Sequence, residues 1–415
     1  MKKFLKLMLI AILVISGCKI GNEITVINLA NLYQATSKPS IRGNRVYIEN
    51  DSLARVFILY NTSDLTFERP PGKAGFFANI RFSYLLFQSY ESNELMDSAS
   101  YRLTDSVNYR RNKYLVFDFE VKIKPASNQL LNLYFTDLNN KSETIVPIEI
   151  QNLSATGYQR FLPLDSSGNV LFNPWIPGNF PIQILCNSAK QNKLVVSFYK
   201  RSYPPALPPF STTESNDDVF PANRVFFVGL NDGKTDPIQP SEKGIYFFRN
   251  DSAANEGFTL FRFDDEYPVM TRAEQMVFPL RYLCSTSEFE KITQTQNPEW
   301  AISDFWLEAG GIDERAAELR KEYSERVNDA NSYFTSYKEG WKTDRGMIYL
   351  IFGKPTTVYR RTGLETWIYS QQGNRVSLNF DFYQNKNPFT SNDYRLTRLP
   401  EYKTSWFLAV DYWRR

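Results

Sequence analysis

Thr343, Asp344 and Arg345 sit together in GWKTDRG, Gly340 to Gly346, and are by type the side chains best suited to chemistry. A hydroxyl beside a carboxylate and a guanidinium could supply a nucleophile, an acid–base group and an anion clamp. Two facts weigh against this. The chain has no histidine, which removes His-dependent triads, His-ligated zinc and the commonest general base. A carboxylate next to a guanidinium also stays ionised, which makes it a poor general acid. The structural alternative is more economical. Gly340 would close a helix as its left-handed C′ residue, and Trp341 would plug a gap between helix and sheet. Thr343 or Asp344 would accept backbone hydrogen bonds, and Arg345 would clamp a carboxylate or helix-end carbonyls. Gly346 would let a strand begin tightly. No catalytic residue is assigned.

Other candidates are weaker. FDDEYP clusters Asp264, Asp265 and Glu266, but it lacks the spacing and central glycine of an EF-hand. It reads as solvated turn charge, so no metal site is assigned. Gly72-Lys73 lacks the rest of a phosphate loop, and no cofactor is expected. Cys186 and Cys284 lie in strand-like runs, either as a disulfide or as two isolated buried thiols.

The elements that must position these residues fall into three parts. Aromatic residues make up 15% of the chain, as suits half-buried strands. From 24 to 152, runs such as RVYIEN, ARVFILYN and YLVFDFEVKI recur between polar turns, and the last puts Leu115, Phe117, Phe119, Val121 and Ile123 on one face. This is read as a first β-sandwich. From 153 to 284 a second series, ending in VFPLRYLC, reads as another Ig-like sandwich. The Pro-rich stretch between Tyr203 and Pro221 reads as a long exposed loop, functional or dispensable.

The texture changes over 285–415. Ser287–Glu290 fits a capping box, and Asn297-Pro298 fits an N-cap with Pro at N1. Asp313 would cap a longer helix with the stripe Ala316, Leu319, Tyr323, Val327, Ala330, Phe334 and Tyr337. Core packing explains that stripe better than a partner does. MIYLIFG is apolar on both faces and reads as a central strand. TTVYRR, ETWIYS and VSLNFDFYQ complete a meander, and Trp406, Ala409, Val410 and Trp413 return to helical spacing. The fold class is mainly β with an α+β C-terminal part, helices on an antiparallel sheet.

The N-terminus is a targeting segment. Lys2, Lys3 and Lys6 precede an apolar run from Leu7 to Ile15 that is too short to span a bilayer. Ile15-Ser16-Gly17-Cys18 resembles the lipobox of bacterial lipoproteins, which implies a signal peptide over 1–17, lipidation of Cys18 and a tether over 18–23. Loss of three lysines and no acid would lower the formal charge from +3 to 0. That excludes a strong electrostatic footprint for nucleic acid.

GWKTDRGMIYLIFGKP resembles the signature of the GWxTD domain, a family of envelope proteins in Bacteroidota and some related phyla. The resemblance rests on Gly340, Trp341, Thr343, Asp344, Arg345 and Gly346, the Gly353-Lys354-Pro355 turn, the Trp367-Ile368-Tyr369 strand and the ERVNDANSYF helix. It carries no established reaction. With one acid among Lys19–Glu23, it implies the periplasmic leaflet of the outer membrane rather than the cell surface. It also draws attention to four Asp-Ser steps, at Ser52, Ser98, Ser106 and Ser252, which resemble an O-glycosylation motif of that phylum. Plain turn chemistry explains them about as well. The expected function is a structural or assembly role, with two β-domains holding the GWxTD module away from the membrane where it meets an envelope protein partner. A carbohydrate- or peptidoglycan-binding lipoprotein is the alternative, and a carboxylate-dependent enzyme the third.

Overall fold

The computed structural model describes residues 25–33, 39–72, 74–107, 113–178, 180–187, 192–213, 221–370 and 377–414. The leader, Cys18 and the tether lie outside the described residues.

Seven strands form the first domain: β1 (Ile41–Asn50), β2 (Leu53–Asn61), β3 (Phe76–Phe87), β4 (Leu95–Val107), β5 (Tyr114–Lys122), β6 (Asn128–Asp137) and β7 (Ser142–Gln151). They build two antiparallel sheets, ordered β1-β2-β5 and β4-β3-β6-β7. The period-2 pattern turns Val56, Ile58 and Tyr60 of β2 and Ile80, Phe82 and Tyr84 of β3 into the shared core. Phe82 stacks on Phe135 at 4.5 Å and on Phe117 at 4.8 Å, closing the sandwich the sequence implies.

The second β-region differs from the expected sandwich. β8 (Leu162–Asp165), β9 (Ile182–Leu185), β10 (Lys193–Tyr199), β11 (Arg224–Asn231), β12 (Lys234–Thr235), β13 (Gly244–Arg249) and β14 (Phe258–Arg262) join in one antiparallel sheet. Its order is β14-β13-β10-β11-β12-β9-β8. The ends of this sheet come together, with Phe161 and Phe258 6.3 Å apart, so it rolls around its own core. The short hairpin through β12 bridges what strand counting alone separates into two sheets. VFPLRYLC is not a strand. A 3-10 turn at Phe278–Tyr282, directly after helix α1 (Ala273–Met276), occupies it, because Pro279 suits a helical first turn and cannot join a ladder. Val277, Leu280, Tyr282 and Leu283 belong to the core of the C-terminal module.

That module contains α2 (Thr286–Gln294), α3 (Pro298–Gly310), α4 (Asp313–Phe334), α5 (Asp344–Phe352) and α6 (Tyr402–Trp413), with the antiparallel sheet β15 (Thr357–Arg361), β16 (Leu364–Tyr369), β17 (Leu378–Gln384) and β18 (Tyr394–Leu396). Asn297 caps α3 as expected, accepting from the Trp300 N–H at 3.1 Å. The capping box of α2 starts two residues before the expected place, at Ser285, which bonds reciprocally with Glu288. Asp313 is the first residue of α4 rather than its cap, which is Ile312. The α4 stripe is core from Ala316 to Phe334, while Tyr337 lies beyond the helix end.

The N-terminal segment also enters this module. Leu29 donates to the Val358 carbonyl at 2.8 Å, and the Asn28 side chain pairs with the backbone of Thr356 and Val358. Leu29, Ala30 and Tyr33 are buried in the module's core. The Tyr203–Pro221 stretch is not simply exposed. Ala206 donates to the Lys342 carbonyl and Pro209 accepts from Leu399, which holds residues 203–211 against the module; 214–220 lie outside the described residues. Among the described residues, no helix is long and apolar enough to cross a membrane.

Candidate functional site

GWKTDRG joins two helices, not a helix and a strand. Helix α4 stops at Phe334, so Gly340 is not its C′ residue. The chain then makes a 3-10 turn at Gly340–Lys342, and Thr343 caps α5. The Thr343 hydroxyl accepts from the Gly346 N–H at 3.0 Å and donates to the Gly340 carbonyl at 2.7 Å. MIYLIFG is thus helical. A run apolar on every side suits a fully buried helix as well as a central strand. The cap at Thr343 and the positive φ of Gly353 decide for helix. Arg326 of α4 reinforces its end by donating to the carbonyls of Leu350 and Ile351.

Both glycines answer to close approach. A methyl group on Gly346 would overlap the Gly340 carbonyl oxygen, and one on Gly340 would overlap the Ala330 carbonyl of α4. Between them Trp341 is buried, its N–H donating to Asn331 Oδ1 and its carbonyl accepting from the Tyr282 hydroxyl.

Asp344 and Arg345 point to different partners. Asp344 accepts from the Leu396 N–H at 2.8 Å and forms a two-pronged pair with Arg398 at 2.6 and 3.1 Å. Arg398 also donates to the Leu207 carbonyl, which pins the Pro-rich segment. Beside Asp344 lies a cavity of about 10 Å³ lined by Pro204, Lys338 and Asp393, space for one water at most. Arg345 donates to the carbonyl and side-chain oxygens of Asn392 at 2.9 and 2.5 Å and lies over the Tyr394 ring at 4.2 Å.

Arg345 leads to a group the sequence reading missed. Glu365 is fully buried on the inner face of β16. Its carboxylate accepts from the Tyr33 hydroxyl at 2.7 Å, the Trp367 indole at 2.7 Å and Arg360 at 2.7 and 3.0 Å, with Arg345 at 3.6 Å. Burial pushes this carboxyl up, but the Arg360 and Arg345 charges and the two hydrogen bonds outweigh it and bring it down to about 2. Burial, with Glu365 adding to it, raises the Tyr33 phenol above its ordinary range, so it stays a donor. The available sequence signal was spacing: Glu365 and Trp367 are two apart on a strand, hence on one face.

The remaining candidates separate. Pro355 and Gly353 are buried in the turn after α5, with Tyr369 donating to the Gly353 carbonyl. Cys186 and Cys284 lie in different clusters and are not joined to each other, so the disulfide alternative is not realised. Asp264 pairs with Lys243 and Arg272, and Asp265 with Arg262. No cluster able to hold a metal occurs among the described residues. Ser52, Ser98, Ser106 and Ser252 are all exposed, two in turns and two on the edge strand β4.

The family model of the GWxTD domain matches residues 244–415. No curated protein matches the chain. The matched region takes in β13, β14, the helices and the final sheet, with the GWKTDRG corner at their centre, and the chain therefore carries a GWxTD domain over residues 244–415.

Proposed function

We propose that this protein is a lipid-anchored envelope component with a structural or assembly role, attached through Cys18 on the periplasmic face of the outer membrane and binding a protein partner through its GWxTD and β-domains. One observation carries the non-enzymatic part. Thr343 ties the motif to itself, Asp344 and Arg345 hold other parts of the protein, and the cavity beside Asp344 has space for one water at most. The motif is a lock for the domain rather than a reaction centre.

The N-terminal segment reverses one expectation. Six residues lie between Cys18 and Thr25, so seven chain steps give a reach of roughly 25 Å. Since residues 28–33 are bonded into the GWxTD domain, an anchor at Cys18 keeps that domain beside the membrane instead of at the far end of two β-domains. The β-domains are then the parts free to reach outward.

Affinity purification from the native envelope after gentle detergent extraction, read by mass spectrometry, tests this reading. A recurrent protein partner is expected, and Cys18→Ser should release the chain into the soluble fraction. Retention on peptidoglycan or glycans without any protein would replace the proposal with the carbohydrate-binding alternative. Intact mass of the same material reports on Ser52, Ser98, Ser106 and Ser252, since a bare polypeptide mass removes the glycosylation reading.

A further inference from the structure

The sheet of the GWxTD domain has two unlike ends. At one, the β15–β16 turn and the β17–β18 loop lie side by side, with Gln384 donating to the Gly363 carbonyl at 2.9 Å. Both β-regions attach here. Glu91 of the first sandwich accepts from the Thr362 amide and hydroxyl at 3.1 and 3.0 Å. Phe389 packs edge-on against Tyr199 and Phe247 of the second β-region at 5.2 and 5.6 Å. At the other end β15 begins, β16 finishes and β17 begins, with Thr356 bonded to Ile368 and Ile368 paired with Asn379.

The N-terminal segment runs beside β15. Tyr33 bonds Arg360 and Glu365, Leu29 bonds Val358, and Asn28 bonds Thr356. Followed toward its N-terminus, the segment passes from the far part of β15 to its start. It therefore enters from the end that the β-regions leave free, where Val26 is 72% exposed. Helix α6 lies across this same end. Its first residue, Tyr402, donates to the Asn379 carbonyl at 2.8 Å, and its last, Trp413, to the Ile351 carbonyl at 3.2 Å, just before the chain turns into β15. Tyr402, Trp406, Val410 and Trp413 bury one face of the helix. The opposite face of a surface helix is ordinarily polar. Here it carries Phe407, Leu408 and Tyr412, exposed to 50%, 66% and 61%.

We propose that the outer face of α6, with Val26, rests in the interfacial layer of the bilayer that holds the Cys18 anchor. The inference deepens the lipid-anchor reading above, on which it rests. The length of chain before Thr25 selects the occupant. Seven chain steps reach roughly 25 Å, and α6 is about 18 Å long, so the anchoring bilayer stays within reach of this end of the domain. Helices of this kind sink an apolar face about 5–10 Å into the boundary between headgroups and acyl chains. Tyr412 suits that depth, with an apolar ring and a hydroxyl for the headgroups. Asp411 shares the exposed face and keeps the helix shallow. Three side chains would bind lipid weakly alone, but the tether makes their contact intramolecular.

Depth-dependent quenching on the full lipidated chain tests it, in vesicles of phosphatidylethanolamine and phosphatidylglycerol. A nitrobenzoxadiazole dye is placed on Leu408→Cys, with Cys284→Ser to prevent labelling there. Lipids brominated along the acyl chains should quench this dye roughly two-fold or more. The same dye on Ser98→Cys, in the first sandwich, should keep its intensity. Phe407→Glu with Tyr412→Glu should abolish the quenching at 408 with an unchanged circular dichroism spectrum. An unquenched 408 dye on a chain that floats with the vesicles would overturn the proposal and leave the lipid anchor standing. Equal quenching at 98 and 408, or a 408 dye covered by a second copy of the chain, would overturn it as well. A chain with Cys18 intact that does not float would remove the anchor reading and this proposal together.

Discussion

The first sandwich and the GWxTD domain differ in what they bury. In the sandwich the interior is a layer of alternating apolar side chains; its buried carboxylates, Asp64 and Asp137, sit at strand ends rather than in that layer, and Arg55 gathers Glu49, Asp118 and Glu120 outside it. The GWxTD domain takes polar groups inside: Thr343, Asp344, Arg345, Asn331 and Glu365 are all buried and bonded. An apolar core tolerates repacking, whereas a buried ion pair tolerates only the arrangement that satisfies it. The comparison teaches that the sandwich is specified by pattern and the GWxTD domain by particular residues.

Five measurements would break or sharpen that contrast. The largest effect is expected from Gly346→Ala, which forces a methyl group against the Gly340 carbonyl and should cost more than about 4 kcal/mol. Tryptophan fluorescence reports it, because six of the seven tryptophans lie at residue 300 or later. A variant with native fluorescence and unfolding midpoint would show that the corner yields.

Glu365→Ala strands Arg345 and Arg360 in the interior and should cost about 3–5 kcal/mol. Phe135→Ala in the sandwich should cost a similar amount, about 3–5 kcal/mol, through a cavity. The two are told apart by pH. The carboxyl of Glu365 falls from 4.5 to about 2 on folding, so its contribution is complete above about 4.5 and is lost as pH drops toward 2. Acid titration of tryptophan fluorescence should therefore show a step in that window, which Glu365→Gln flattens and Phe135→Ala leaves in place.

Tyr33→Phe removes a hydrogen bond to a buried carboxylate, worth about 1.5–3 kcal/mol, together with the bond the hydroxyl accepts from Arg360, and should loosen the N-terminal segment. Faster exchange of the Leu29 amide, which bonds Val358, would report the release. The smallest change is expected from Arg55→Ala. Despite three carboxylate partners it is 32% exposed, and its loss should cost less than about 1 kcal/mol. A larger cost in denaturant unfolding would mean that the sandwich too depends on specific charges.

How much was legible follows the same division. The strands of the sandwich, the apolar stripe of α4, the β15–β17 meander and the C-terminal helix were all readable, because period 2 and period 3.6 leave different marks. Helix α5 was not, since a run apolar on every face carries no period. In GWKTDRG, residue types announced polar bonds but not their partners. Arg345 meets Asn392 and Glu365, and Asp344 meets Arg398, each pair separated by tens of residues in the chain.

The sequence by itself determined the mainly-β architecture, the helical stretch before the motif and the polar character of GWKTDRG, because these depend on local pattern and residue chemistry. Tertiary structure alone decided three other things. The motif became a helix-to-helix corner, the N-terminal segment closed onto Glu365, and α6 was laid across the end of the sheet at which that segment enters. Each depends on which distant segments share a space. Burial then weighs on the outcome, by favouring arrangements that give the enclosed polar groups a partner.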